Sequence, residues 1–543
     1  MTPTTSVEVE TKFAVQDSTV VPDLTRISGV ASVASTEKFS LHAVYFDTAD
    51  LRLTRAKITL RRRTGGKDEG WHIKLPDTGA GRQEIAVDLN EDDYTSPDQP
   101  FTVPKELLGE VQAIIRTEPL KPIATIDNTR RESVLTSDDG TPLAFFCDDR
   151  VTAKALIEGG RKKSWREWEL ELAPGLAGTH RGDRVLDTSE EILLAAGATT
   201  SALPSKLLVA LGTAVDTAPE PALPLEWRPV ERSDEAFAIL LQQLRDRRDA
   251  IISADAQARA GELDALKLIV ENSKDLRFLF SMLRDLFAHD AWDDRLDNIP
   301  SLRAQLKALN NACQKAVAAD LEHTLLHEIV LGNPTGLIDS FAANRLKDGA
   351  LIRRDRETRR AHVALTSTQY LDLLDDIDAF LADPPVPSRS ERRKAVAIAV
   401  RAVKRSWRDL SSLIESVTED MDNTGLTPNE LQHAVNQLRK ASQRLYMSAN
   451  IADAVTPYKA RRLTKQTRKL LHEVEQAQAY VDSCNTVLQR ARQANRHRED
   501  TFSYGMVYET CRHAAIYLLT GAEERAQEVA AAYKRFTKSV RKS

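Results

Sequence analysis

From Val7 to about Ala173 hydrophobic and polar residues alternate with a period of two, the spacing that sends successive side chains to opposite faces of a strand. Turn clusters such as Gly65-Gly66 and Asp139-Gly140 break the alternation and set off eight strand candidates, starting near residues 7, 39, 57, 70, 81, 123, 142 and 164. Past Leu211, Thr213-Ala214-Val215-Asp216-Thr217-Ala218-Pro219-Glu220-Pro221-Ala222-Leu223-Pro224 holds three prolines and few bulky residues, which predicts an extended linker. After Ser233 the period lengthens to that of helices, as over 236–251 and 263–286, and stays so to the C-terminus. The segment 240–248 is echoed by 397–405, and Pro384-Pro385-Val386-Pro387 divides the two, a pattern that two stacked four-helix bundles satisfy. The expected organisation is a first domain over 1–212, a Pro-rich linker over 213–227 and an all-α domain over 228–543 with repeats of about 228–385 and 388–543.

The strands carry their charges on one face. Glu8, Glu10 and Lys12 oppose Val7, Val9 and Phe13, and Arg61 and Arg63 oppose Ile58 and Leu60. Lys74 has His72 beside it, Arg82 and Glu84 oppose Ile85 and Val87, and Glu167, Glu169 and Glu171 oppose Trp168, Leu170 and Leu172. A solvated outer face explains any one such strand, but not the set. In a small barrel the Trp, Phe, Ile and Leu faces pack outward against covering helices and leave the charges to line the lumen. Eight mostly sequential strands are about the number that closes such a barrel. The expected fold is therefore α+β, an eight-stranded antiparallel closed barrel with flanking helices, followed by the all-α double four-helix bundle.

Composition narrows the chemistry. The 543 residues are 29% charged and 42% hydrophobic, as in a soluble protein of two or three domains. No apolar run approaches the roughly 18 residues of a membrane span. The N-terminal residues lack a secretory pattern and the four cysteines lie far apart, which predicts a reducing cytoplasm. A net charge of −5, from 75 basic and 80 acidic residues, argues against broad or specific nucleic-acid binding, so a polyanion must be bound locally. There is no GxxxxGK[ST] loop and no GxGxxG turn. His323 and His327 have chelating spacing but no third ligand and read as surface or core histidines, and Cys147 reads as a small buried residue.

Several motifs in the first half form a set: the opening Glu8-Val9-Glu10-Thr11-Lys12, Tyr45-Phe46-Asp47-Thr48, Leu60-Arg61-Arg62-Arg63, Lys74, Arg82 with Glu84, Glu169 with Glu171, and Lys206 in Ser205-Lys206-Leu207. Together they resemble the CYTH family, the triphosphate tunnel metalloenzymes, over Val7 to about Leu211. The family's basic strand after the middle helix falls on Thr129-Arg130-Arg131, where either arginine can point inward, and the next acidic strand end is either Asp148 or Asp149. Ala86 departs from the pattern, since many members carry a second acid there.

The resemblance implies that Lys12, Arg61, Arg63, Lys74, Arg82, Arg130 or Arg131, and Lys206 bind substrate, and that Lys12, Glu169 and Glu171 serve catalysis. It assigns metal binding to Glu8, Glu10, Glu84, Asp148 or Asp149, Glu169 and Glu171. The residue chemistry agrees: arginine's planar fork suits phosphate oxygens, and carboxylates in the same lumen require a hard cation, Mg²⁺ or Mn²⁺, between themselves and a polyanion. One ion would tie Glu8 and Glu10 to the phosphate, and a second near Glu169 and Glu171 would activate a water. The expected reaction is hydrolysis of inorganic triphosphate to pyrophosphate and phosphate. Adenylate cyclase, thiamine-triphosphatase and a non-catalytic polyphosphate adaptor are the alternatives.

The second half resembles a CHAD domain in 366–374, 381–385 and 502–505, and in Leu438-Arg439-Lys440-Ala441 with Arg444 and Tyr446. Its eponymous histidines are missing: Asp264-Ala265-Leu266 and Val270-Glu271-Asn272-Ser273 stand in the first repeat, keeping Lys274 and Arg277, and Asn436 stands in the second. Helical spacing puts Lys394, Arg401, Arg405 and Arg408 near one face, with Arg439, Lys440 and Arg444 within reach across a bundle. The implied partner is polyphosphate, with a scaffold as the alternative.

Overall fold

The computed structural model describes residues 3–76, 82–89, 101–201, 205–219, 236–287, 296–332, 336–385, 389–423 and 426–541. The chain divides into two compact units, Met1–Trp227 and Arg228–Ser543. The first contains β1 (Thr4–Glu8), β2 (Glu10–Val15), β3 (Ser32–Asp47), α1 (Arg52–Arg55), β4 (Thr59–Thr64), β5 (Gly70–Lys74), β6 (Arg82–Val87) and α2 (Lys105–Ile115). It continues through β7 (Lys121–Thr136), β8 (Pro142–Ala155), β9 (Lys162–Leu172), α3 (His180–Ala195), β10 (Thr199–Thr200), α4 (Lys206–Leu211) and α5 (Ala214–Thr217).

The strands form one antiparallel sheet of ten, in the order β1-β6-β5-β4-β3-β7-β8-β9-β2-β10. The expected eight-stranded closed barrel is corrected on both counts: among the described residues there are ten strands, and their ladder does not close into a ring. The first expected strand is used twice. Thr4 to Glu8 pair with β6, whereas Glu10 to Val15 pair with β9, and the change of partner falls at Val9, whose carbonyl accepts from the Leu172 N–H at 3.0 Å. Two regions of the sheet far apart in the ladder are thus joined by the chain itself. The tenth strand is a two-residue addition, Thr199 and Thr200 against Ala14 and Phe13.

Helices cover the apolar faces of the strands. Leu107, Val111 and Ile115 of α2 pack on Leu60, Trp71, Ile73, Ile85 and Val87. Val185 and Leu193 of α3 pack on Phe13, Trp168, Leu170 and Leu172. Burying each such side chain is worth roughly 1.5–3 kcal/mol, which fixes the parity of every strand and so turns the charged face the other way. A third cluster lies on that opposite face: Leu207 and Leu211 of α4 pack with Ala43, Tyr45 and Ile126. At the β4–β5 turn, Gly65 has φ +78° and a Cβ there would lie 2.1 Å from the Ser40 carbonyl oxygen, so the close turn requires glycine.

The expected linker begins with a helical turn, α5, and its part from Glu220 lies outside the described residues. The second unit is helical: α6 (Ala236–Arg259), α7 (Leu263–Phe287), α8 (Ile299–Leu331), α9 (Ser340–Leu365), α10 (Thr368–Ala382), α11 (Arg389–Asn423), α12 (Pro428–Val455), α13 (Arg461–Arg496) and α14 (Phe502–Arg541). Successive helices pack on one another from α6 to α9 and from α11 to α14. Against the expected four helices per half, the first holds five among the described residues. The extra one, α10, is N-capped by Ser367 and buries Tyr370, Leu374, Ile377 and Leu381. Pro384 and Pro385 follow α10 and end it, while Val386 and Pro387 lie outside the described residues, as does the side chain of Lys394. Among the described residues no helix is long and apolar enough to cross a membrane.

Candidate active site

Because the apolar faces turn outward, several strands aim charges into one cavity. Glu8, Glu10 and Lys12 come from β1 and β2, Arg61 and Arg63 from β4, Lys74 from β5, Arg130 from β7 and Glu169 and Glu171 from β9. Lys206 enters from the first residue of α4, behind Ser205, whose Oγ accepts from the Leu208 N–H at 3.2 Å. Tyr45, Asn128 and Thr59 complete the wall.

The charges fall into two groups. In one, Lys12 Nζ lies 3.0 Å from Glu10 and 3.0 Å from Glu169. Arg130 donates Nε and Nη2 to both oxygens of Asp149, at 2.8 and 2.7 Å, and Nη2 also reaches Glu169 at 2.6 Å. Lys206 Nζ sits among three carboxylates, 2.5 Å from Glu167, 2.7 Å from Glu169 and 3.0 Å from Asp149. In the other group Lys74 pairs with Glu8 and lies 3.7 Å from Glu84. Glu84 also meets His72 at 2.8 Å and Arg61 at 3.5 Å, and Arg63 pairs with Asp68.

Burial and mutual charge shift these groups strongly. Burial works against charge at Glu169, yet Lys12, Lys206 and Arg130 hold its carboxyl well below the usual range. Burial likewise opposes the Lys206 ammonium, and Glu169, Asp149 and Glu167 hold it well above the ordinary lysine value. Glu8 is pushed up to about 8 by burial and by sharing a hydrogen bond with Glu84. Burial raises Glu171 too, aided by repulsion from Glu10 directly across the β2–β9 pairing. Arg63 is disfavoured as a cation by burial and by Arg61 and Arg130, a strain that a bound anion would relieve. His72 is pushed down to about 4 by burial, and stands as a neutral imidazole at pH 7.

The alternatives left open by sequence resolve by parity. Arg130 faces the lumen and Arg131 is exposed on the other face. Asp149 is fully buried beside Arg130, whereas Asp148 accepts both arms of Arg166, at 2.8 and 2.9 Å, on the outer face. Glu84, buried on the strand face of Lys74, its partner in register, is counter-ion to Arg61 and Lys74. Arg82 lines the lumen, and its guanidinium donates to the carbonyls of Leu75 at 3.1 Å and Lys57 at 2.9 Å. Glu167 joins the lumen charges from the face on which its alternation puts it, and Tyr45, opposite Arg61 in register, belongs to the wall. Two residues on, Asp47, fully buried, accepts from the N–H groups of Thr48, Leu53 and Thr54 at 2.7 to 2.9 Å.

Elsewhere the candidates are weaker. His323 and His327 stack with ring centroids 6.1 Å apart, and among the described residues no third ligand joins them. All four cysteines are free and buried. In the helical unit Arg401, Lys404, Arg405, Arg408 and Arg444 line one cavity together with Asp285 and Asp409.

Comparison with known proteins matches the geometry. Residues 6–176 match the CYTH domain model and residues 242–483 the CHAD domain model. Uncharacterized proteins MT2285 and Rv2226 of Mycobacterium tuberculosis, from strains CDC 1551 / Oshkosh and ATCC 25618 / H37Rv, are each 31% identical over 100% of this chain and 98% of their own length. The chain is a CYTH–CHAD protein. Among solved structures, PptA from Streptomyces chartreusis aligns over 57% of this chain and 100% of its own at 13% identity and a TM-score of 0.38. HpAC1 from Hippeastrum, described as having a dominant triphosphatase activity, aligns over 37% of this chain and 94% of its own at 16% identity and a TM-score of 0.23. At TM-scores this low neither likeness bears on fold or chemistry here. The CYTH match ends at residue 176, so Lys206 and α4 lie beyond the matched segment although they complete its cavity.

Proposed function

We propose that the CYTH domain hydrolyses inorganic triphosphate with the help of a divalent metal. The observation that carries this reading is the convergence of Lys12, Arg61, Arg63, Lys74, Arg130 and Lys206 on one cavity that also receives Glu8, Glu10, Glu169 and Glu171. Six cations from five elements match a linear polyanion better than a single phosphate. The cations are matched by carboxylates: Glu8, Glu10, Glu84, Asp149, Glu167, Glu169 and Glu171 surround them. A polyanion therefore needs further positive charge.

The donor set fits Mg²⁺ or Mn²⁺. Glu10 and Glu171 face each other across β2 and β9 and repel, and among the described residues Glu171 makes no ion pair, so its oxygens are available to a hard cation. Glu8, Glu10 and Glu171 would hold the ion, which supplies charge neutralisation and an activated water when bound. Arg61, Arg63 and Arg130 would grip the phosphate oxygens, and Lys12 and Lys206 would meet the charge that develops as the anhydride bond breaks. Glu169, held ionised by three cations, orients Lys12, Arg130 and Lys206.

The wall favours an inorganic substrate. Among the described lining residues Tyr45 is the one aromatic, it is 5% exposed, and its hydroxyl is bonded to Arg61, so it offers no ring face to a purine or thiazolium. For the CHAD domain we propose weak polyphosphate binding at the exposed Arg401, Arg405, Arg408 and Arg444. The deciding experiment compares phosphate release from tripolyphosphate, ATP and thiamine triphosphate, each with Mg²⁺, with Mn²⁺ and with EDTA. Fast, metal-dependent turnover of tripolyphosphate is expected, and a preference for ATP with cyclic AMP formed would refute the reading.

A further inference from the structure

Among the described lining residues Lys206 is the one cation that no strand holds. It opens α4, a helix of six residues, and helices that short are not stable by themselves. Its place is set by Leu207 and Leu211, packed with Tyr45 and Ile126, and by the ion pairs of its ammonium. Two of its three carboxylates are engaged elsewhere. Asp149 takes both arms of Arg130, and Glu169 takes Lys12 at 3.0 Å and Arg130 at 2.6 Å. Glu167 differs. Among the described residues it meets no cation except Lys206, 2.5 Å from Oε1, while the Trp165 indole N–H donates to Oε2 at 2.5 Å. Trp165 also packs against the apolar group that contains Leu207 and Leu211. One residue thus links the ring beside α4 to the ammonium at its start.

We infer that Glu167 is a positioning residue, a counter-ion reserved for Lys206 that fixes α4 and holds the ammonium in the lumen. When an anionic ligand draws on Lys12 and Arg130, Asp149 and Glu169 change partners, whereas Glu167 keeps Lys206 in place. Asp149, Glu167 and Glu169 lie close enough together to hold a metal ion, but the ammonium already touches all three. Lysine positioning is therefore the role their geometry supports. The kinetic consequence rests on the triphosphatase reading; the structural one does not.

The test uses the full chain and two measurements. Glu167→Gln keeps the volume and the Trp165 bond but removes the charge. Hydrogen exchange over residues 205–211, followed by mass spectrometry, should quicken on the order of tenfold in Glu167→Gln, and by no more in Glu167→Gln combined with Lys206→Ala than in Lys206→Ala alone. With tripolyphosphate, Glu167→Gln should lower kcat about tenfold with little change in KM in the parent, and by less than about twofold in the Lys206→Ala background. Trp165→Phe, which removes the donor to Glu167 together with part of the ring packed beside α4, should move both readouts the same way by a smaller factor and lose that effect in the Lys206→Ala background, and it serves if the glutamine variant fails to fold. Unchanged exchange over α4 in the variant that folds, or equal kcat losses in both backgrounds, would overturn the assignment. If the parent does not turn over tripolyphosphate, the function proposed above fails, and the exchange data still decide the role of Glu167.

Discussion

The two units of this chain handle buried and clustered charge in opposite ways. In the CYTH domain, charges from β1, β2, β4, β5, β7, β9 and α4 converge on one cavity, where they shift each other strongly. In the CHAD domain, some cations are closed into pairs inside the unit and others stand exposed along one helix. Arg248 donates both arms to Asp378 at 2.6 and 2.8 Å deep in the unit, and Arg247 pairs with Asp275 at 2.9 Å. Arg401, Arg405 and Arg408 instead stand exposed along α11, with Arg408 only 3.9 Å from Asp409. The difference is geometric. A curved sheet with outward apolar faces points every second residue of many strands at one space, whereas a helix offers a single stripe to solvent, where salt screens it.

The sharpest way to break this contrast is to remove the lumen carboxylate that makes no ion pair among the described residues. Glu171→Gln, or chelation with EDTA, should cost on the order of a hundredfold or more in tripolyphosphate turnover while the thermal melt stays in place. Full activity in the variant at saturating metal would put the ion elsewhere. Next in size is a comparison of neighbours. Arg130→Ala strips Asp149 of its bidentate partner and should destabilise the protein by about 3–5 kcal/mol as well as abolish activity, because it leaves a buried carboxylate short of charge. Arg131→Ala, one residue along and exposed, should change neither measurably. Urea titrations of the two variants check this, and equal effects would mean the parity of β7 is wrong.

A smaller loss is expected from Arg61→Ala, on the order of tenfold in kcat/KM with a raised KM, since its charge meets substrate before and during transfer. Steady-state kinetics with tripolyphosphate measure it. The smallest effect belongs to the CHAD domain. Arg401→Glu combined with Arg405→Glu should weaken retention of long polyphosphate a few-fold at low salt and leave tripolyphosphate turnover untouched, because exposed charges act through a screened field. Tight, salt-resistant retention unaffected by the double reversal would show that the helical unit binds through a different surface.

How much of the site could be read from sequence varied with the strand. In β2, β4 and β9 Phe13, Leu60 and the run Trp168, Leu170 and Leu172 mark the apolar parity, so Lys12, Arg61, Arg63, Glu167, Glu169 and Glu171 could be placed on the other from the two-residue period. In β7 both parities carry apolar residues, Ile123 and Leu135 on one and Ile126 and Val134 on the other, so no periodicity separates Arg130 from Arg131. The same holds for Asp148 and Asp149, which follow Ala144 and Phe146 on one parity and Leu143 and Phe145 on the other. Lys206 was placed only by its resemblance to a family motif, since one residue at the head of a short helix has no period to reveal it.

By itself the sequence determined the change of period near residue 230, the outward turn of the bulky faces and the gathering of opposite charges on the inner ones, because local alternation and burial act over a few residues. Tertiary structure alone decided how the opening run divides at Val9 between β6 and β9, so that the sheet has ten strands and an unclosed ladder. It also decided which of two adjacent charges enters the lumen and that α4 carries Lys206 to Glu167. Each of these depends on partners on other elements, from 18 residues away for Asp148 with Arg166 upward, and such pairing is selected by packing and charge compensation across the whole sheet.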